Sequence, residues 1–213
     1  MSIDQWHKDV IGQRVVQALK KNQFDAAYFP TRETAVQHVL SFIAAGAQVG
    51  FGGSVTLTKD LNLVELVKAK GAELLVHGDP KLSPEEKMEV MRKQQVCDVF
   101  LTGTNAITMD GYLVNIDGVG NRVAALTFGP KKVIVVVGIN KICQDVNAAF
   151  ERLKTIVSPK NNKRLDYTNP CTVTGVCADC QSSTRICRIY SVIKKKPMLS
   201  DITVVIIGEE LGY

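Results

Sequence analysis

The chain is poor in aromatic residues, which make up 6% of its 213 positions, and it holds only three histidines. So little aromatic surface leaves few platforms for stacking bases. The formal charge of +5, from 26 basic and 21 acidic residues, is a mild and dispersed excess with short runs near Lys160–Arg164 and Lys194–Lys196. A nucleic-acid partner is therefore not expected, and the excess suits a small anion better. His7, His38 and His77 are scattered without metal-ligand spacing and read as surface or packing residues; only His77 sits beside a turn, at Gly78. No apolar run approaches the roughly 20 residues of a membrane span. The polar, amphipathic start MSIDQWHKDVIGQRVV lacks the basic-then-apolar order of a secretion signal. The expectation is a cytoplasmic, reducing setting with no membrane association, where six cysteines argue against a disulfide framework.

What is present is a sizeable apolar fraction, 46%, enough for one core with an appendage. Helix and strand signals alternate. Residues 5–21 carry a helical stripe, Ala26–Phe29 is a short strand halted by Pro30, and Thr31 suits the cap of a second helix. Strands are expected at 48–51, 74–76, 98–101, 112–116, 133–137 and 202–207. Helices are expected at about 58–70, from Ser83-Pro84-Glu85-Glu86 onward, and at 141–157, where Ser158-Pro159 would end the last. Continuously apolar strands interleaved with helices predict an α/β fold, with a mainly parallel sheet covered by helices on both faces. The domain reading is residues 1–158 as the α/β unit, 159–200 as a cysteine-rich segment without periodicity, and 201–213 as a final strand that rejoins the sheet.

Sheets of this kind bind ligands beyond the carboxyl ends of their strands. Three turns place small polar residues there: Gly52-Gly53-Ser54, Thr104-Asn105, and Asp117-Gly118-Val119-Gly120-Asn121. Glycine lets an anion approach the backbone closely, and the helix start after Gly120 would offer free N–H groups. Arg122 would clamp that anion and Asn121 would donate a further bond. Asp117 is the candidate acid–base group, with capping of the following helix as an equal alternative. Asp110-Gly111 reads as a hairpin turn and Lys59 as solvated. GVGNRV departs from the dinucleotide fingerprint at its last position, and no well-placed acidic residue follows, so no nucleotide cofactor is expected.

The segment CTVTGVCADCQSSTRIC holds Cys171, Cys177, Cys180 and Cys187. Four thiolates within so short a stretch could enclose one Zn²⁺ or one iron–sulfur cluster, and spacing does not separate the two. Cys97 and Cys143 fall in expected regular elements and read as packing residues.

The stretch LTGTNAITMDGYLVNIDGVGNRVAAL at 101–126, the FGPKKVIVVVGINKI that follows, and the glycine turn GFGGSVTL at 50–57 resemble the LUD domain, the lactate-utilisation protein family. The resemblance covers most of residues 1–157 and the cysteine segment. It implies a fold similar to ribose-phosphate isomerase, glucosamine-phosphate deaminase and the CoA transferases, with the three turns at a shared cleft. It also implies a link to the oxidation of lactate to pyruvate beside iron–sulfur subunits, which favours the cluster at the cysteines. The partners it implies are iron–sulfur oxidoreductase subunits; the glycine turns themselves point to a small anionic metabolite, and a further copy of the chain is left open as a partner. The alternative functions are an accessory metal protein serving an oxidoreductase, or a stand-alone isomerase or transferase acting on a phosphorylated or CoA-linked substrate.

Overall fold

The computed structural model describes residues 2–213. Helix α1 (Ile3–Lys21) begins at Ser2, whose side chain accepts from Gln5 N, and leads to β1 (Asp25–Phe29). Then come α2 (Arg32–Ser41), β2 (Gln48–Phe51), a π-helical turn at Thr56–Asp60, α3 (Leu63–Ala69) and β3 (Glu73–Leu75). The helix expected over 58–70 is thus two pieces. Asn62 adopts a left-handed conformation with φ of 47°, one of the few side chains that does so without a large penalty, and this splits it. Helix α4 (Pro84–Lys93) carries the expected capping box, with Ser83 Oγ accepting from Glu86 N and Glu86 reaching back to Ser83 N.

Strands β4 (Val99–Thr102), β7 (Lys132–Gly138) and β10 (Ile202–Ile207) join β1, β2 and β3 in a six-stranded, wholly parallel sheet of order β1-β10-β7-β4-β2-β3. Alternate side chains of one strand feed opposite cores. Val133, Val135 and Val137 pack with Val15 and Leu19 of α1 on one face, while Ile134 and Val136 pack with Val39 of α2 and Val67 of α3 on the other. Burial on both faces is why these strands read as unbroken apolar runs. Each such side chain contributes on the order of 1.5–3 kcal/mol of burial free energy.

A second sheet was not anticipated. Residues 112–116, expected as one more strand of the parallel sheet, form β6 (Leu113–Asp117) in a four-stranded sheet of order β8-β5-β6-β9, with β5 (Ala106–Thr108), β8 (Ile142–Cys143) and β9 (Ile189–Ile193). β6 runs antiparallel to both neighbours, and its hairpin with β5 turns at the Asp110-Gly111 signal, where Gly111 has φ of 76°. One face of this sheet, with Ile107, Leu113 and Ile193, closes the main core; the other, with Ala106, Val114 and Ile116, packs on α6 (Val146–Arg152).

The expected 141–157 helix begins only at Val146, after the cap Asp145, whose side chain accepts from Ala148 N. It does not stop at Ser158-Pro159. A π-helical turn at Leu153–Val157 leads into α7 (Ser158–Arg164) with helical backbone throughout; Pro159 offers no N–H to the turn before it, and Lys154 O there accepts instead from Cys177 N at 2.9 Å. Residues 159–200 therefore contain most of α7, the short α8 (Cys171–Thr174) and β9. α5 (Asn121–Thr127) follows β6 and buries Ala125 and Leu126. No helix among the described residues is long and apolar enough to cross a membrane.

Candidate functional site

Strand order reverses between β2 and β4: β3 lies outside β2, whereas the chain returns from β3 to the inner side of β2. A crevice opens beyond the carboxyl ends of strands at such a switch point. Here it encloses about 470 Å³ and is lined by Gly52, Gly53 and Ser54 after β2, by Thr104 and Asn105 after β4, and by Asp117, Gly118, Asn121 and Arg122 after β6. The three turns singled out in the sequence thus converge. Gly120 does not line the crevice; it precedes α5 with φ of 97°, and its role there is the turn itself. Lys59 is exposed and away from the crevice.

Two of the predicted site residues, the candidate acid–base group Asp117 and the anion clamp Arg122, are engaged internally. Asp117 Oδ1 accepts from Gly118 N at 2.8 Å and Gly120 N at 3.4 Å, and Oδ2 from Val123 N at 3.3 Å. Its own carboxylate fills the cradle of N–H groups that was expected to receive an external anion. Arg122 donates through Nη1 to Asn115 Oδ1 at 2.8 Å and Gly103 O at 3.4 Å, and through Nη2 to Ile116 O at 2.7 Å and Asn105 Oδ1 at 2.9 Å. Its Nε stands 3.5 Å from Asp117 Oδ2, and both side chains are 12% exposed. The guanidinium ties the β4–β5 loop, β6 and α5 together. Its charge is matched by Asp117 and its donors are occupied. Burial lowers its pKa, opposed by Asp117.

The uncompensated charge lies elsewhere. Lys141, just after β7, lines the crevice while its residue is 4% exposed. Its Nζ donates to Thr56 Oγ1 at 3.1 Å. Burial pushes its pKa down to about 8, helped by the nearby Arg152 and Arg122 cations and opposed by Asp60. The Asp60 carboxylate accepts from Gly212 N at 2.6 Å, and no carboxylate among the described residues forms an ion pair with Lys141. Behind it, Arg152 donates from Nε to Asn105 O at 3.2 Å and leaves Nη2 buried without a partner. The buried Lys141 and the half-buried Arg122 and Arg152 thus share a neighbourhood in which Asp117 is ion-paired with Arg122 and Asp60 offsets Lys141 only at longer range. Lys87 and Arg164 add further positive charge to the crevice lining.

His77 also reaches the crevice, contrary to its expected role in packing or at the surface. Gln94 Nε2 faces Leu75 O at 2.7 Å and Phe51 O at 3.1 Å, which fixes it as a donor, and it lies 3.1 Å from His77 Nδ1. That leaves Nδ1 the acceptor and the ring proton on Nε2, the nitrogen nearest the Gly53 turn. Burial lowers the pKa of His77, opposed by the Gln94 contact and by Asp117, so the ring is a neutral donor at pH 7.

Lys141, Arg152 and His77 were not singled out by sequence reasoning. For Lys141 a signal existed: a lysine directly after the most apolar strand, in VIVVVGINK, at the sheet edge where ligands bind. Both π-helical turns border the crevice, through Thr56 and Val157; such turns concentrate at functional sites.

The predicted cysteine ligands are all unpaired thiols: Cys171 and Cys187 are buried, and Cys177 and Cys180 half-buried. All four line one small cavity with Asn162, Asn169 and Arg185. Among the described residues, no three His, Cys, Asp or Glu side chains stand in a metal-holding arrangement.

The LUD domain family model matches residues 12–207. A DUF162 family protein from Deinococcus radiodurans has a similar structure, with a TM-score of 0.53 and 13% identity over 94% of this chain and 98% of that one, a likeness of fold alone. Ribose 5-phosphate isomerase from Plasmodium falciparum aligns with a TM-score of 0.34 and 17% identity over 53% of this chain and 52% of its own. No curated protein matches. With the model match spanning nearly its whole length, the chain belongs to the LUD domain family, a family related to lactate utilisation.

Proposed function

We propose that the protein binds a small anionic metabolite, a carboxylate or phosphate, in the crevice at the ends of β2, β4 and β6, and that it does so in the service of lactate utilisation. One observation carries the reading: the Lys141 ammonium is buried at the crevice with no carboxylate to pair it. An isolated buried charge is costly, and a ligand of opposite sign offsets that cost. The ligand's anionic group lies against Lys141 Nζ and Thr56 Oγ1, with His77 Nε2 and the Gly53 turn facing its other end. Asp117 and Arg122 hold the walls. In the ligand-free crevice burial pushes the Lys141 pKa down to about 8, within reach of general acid–base work, and a bound carboxylate raises it again.

The test is a thermal-shift panel of L-lactate, pyruvate and inorganic phosphate against the wild-type chain and Lys141→Met. At least one anion stabilises the wild type in a concentration-dependent way, and the variant does not respond. Equal responses from both proteins contradict the proposal.

A further inference from the structure

The segment from Cys171 to Arg188 has an unusual interior. Of its residues only Cys171 and Cys187 are buried. Its aliphatic Val173 and Val176 point outward, at 88% and 49% exposure. Beyond the single turn of α8 it has no regular structure, yet its backbone is closely specified. Gly175 and Asp179, both left-handed with φ of 75° and 48°, bend the chain between successive cysteines. Arg185 donates to Cys180 O at 2.7 Å and to Cys187 O at 2.8 Å, gathering the two ends of one loop. Cys177 N donates to Lys154 O at 2.9 Å. The buried Asn169 amide bonds Asn162 Oδ1 at 2.6 Å and Thr184 O at 3.1 Å, stitching the segment to α7. All this structure surrounds four sulfurs and a cavity of about 10 Å³.

We propose that Cys171, Cys177, Cys180 and Cys187 bind one tetrahedral, thiolate-preferring metal ion of the Zn²⁺ kind, and that this ion fixes the Cys180–Cys187 loop as a wall of the crevice. The four cysteines face one cavity as free thiols, with no three of them drawn together at metal-holding positions; a divalent cation would draw the sulfurs in and displace the thiol protons. The space the four sulfurs line, about 10 Å³, is on the scale of a single ion once the sulfurs draw in to about 2.3 Å from it. The link to the crevice is direct. Ile186, between two of the cysteines, borders both cavities, and its backbone would lie 3.2 Å from a Cβ placed on Gly118. Arg188 N donates to Asp117 O at 3.0 Å.

This site does not depend on the identity of the crevice ligand. The full chain, purified anaerobically, is measured for metal and acid-labile sulfide, then stripped under reducing conditions and titrated with Co²⁺. The expected result is about one zinc per chain, no sulfide, and intense sulfur-to-cobalt charge-transfer absorption saturating at about one equivalent. Cys177→Ser and Cys180→Ser each lower metal affinity at least roughly tenfold, with the circular dichroism of the main sheet retained. Stripping the wild type speeds hydrogen exchange across residues 177–190. No zinc together with no charge-transfer bands overturns the proposal, and so does iron with matching sulfide. Unchanged exchange on stripping overturns the claim that the ion holds the crevice wall.

Discussion

Lys141 Nζ stands 3.1 Å from Thr56 Oγ1, and this hydroxyl is the one side-chain partner the buried ammonium has. A neutral oxygen satisfies a donor but not a charge. The fold thus maintains a desolvated cation in the wall of its switch-point crevice, and its burial has consequences for stability.

The first is a pH dependence of the ligand-free protein. Lys141 titrates at its ordinary 10.5 when unfolded and at about 8 when folded. Below about pH 8 both states are protonated and the penalty for burying the charge is fully present. Between about 8 and 10.5 the unfolded state holds more protons, so stability rises with pH; above that the penalty is gone. Lys141→Met should stabilise the ligand-free chain at pH 7 by roughly 1–3 kcal/mol and abolish this rise. Urea unfolding at pH 7 and pH 9.5 checks it; parallel behaviour of the two proteins would rule out the buried charge as its source.

Arg122 should behave in the opposite way. Truncation takes a charged donor from Asn105 Oδ1, Asn115 Oδ1 and Ile116 O and the countercharge from Asp117, although Asn105 Oδ1 keeps Ile116 N, Asn115 Oδ1 keeps Thr104 Oγ1 and Asn105 N, and Asp117 keeps its backbone N–H groups. Arg122→Ala is expected to cost about 3–5 kcal/mol of stability. A loss below about 0.5 kcal/mol, measured by urea unfolding, would mean that these bonds do not hold the walls together.

Asp117→Asn separates capping from catalysis. The carboxylate accepts three backbone N–H groups and faces Arg122, whereas asparagine presents one oxygen and a competing amide. A stability loss of roughly 1–2 kcal/mol is expected, with anion binding retained because the crevice becomes more positive. Loss of anion binding in a folded variant would show that the Asp117 carboxylate does more than cap α5.

The parallel sheet was legible because strands buried on both faces leave continuous apolar runs, as in Val133–Val137 and Ile202–Ile207. The second sheet was not, for physical reasons. β5 has three residues, β8 two, and β9 is half exposed beside the Lys194–Lys196 run, so none carries a period of useful length. The convergence of Gly52, Thr104 and Gly118 followed from their positions after strands. Which groups were free to meet a ligand did not. Asp117 and Arg122 are adjacent in space to so many backbone groups that they satisfy one another, and no sequence spacing reveals that. Lys141 is the converse, a residue whose importance comes from a partner it lacks.

The most direct test is calorimetric titration of pyruvate, L-lactate and inorganic phosphate into the wild type and Lys141→Met at pH 6.5 and pH 9.5. The account predicts that the wild type binds at least one of them at pH 6.5 and loses roughly tenfold or more in affinity at pH 9.5, as Lys141 gives up its charge. It also predicts that Lys141→Met, though folded and no less stable, is weakened at least about tenfold at pH 6.5 and shows no such pH dependence. Equal affinity of the two proteins at both pH values would contradict the assignment of Lys141 as the charge that receives the ligand.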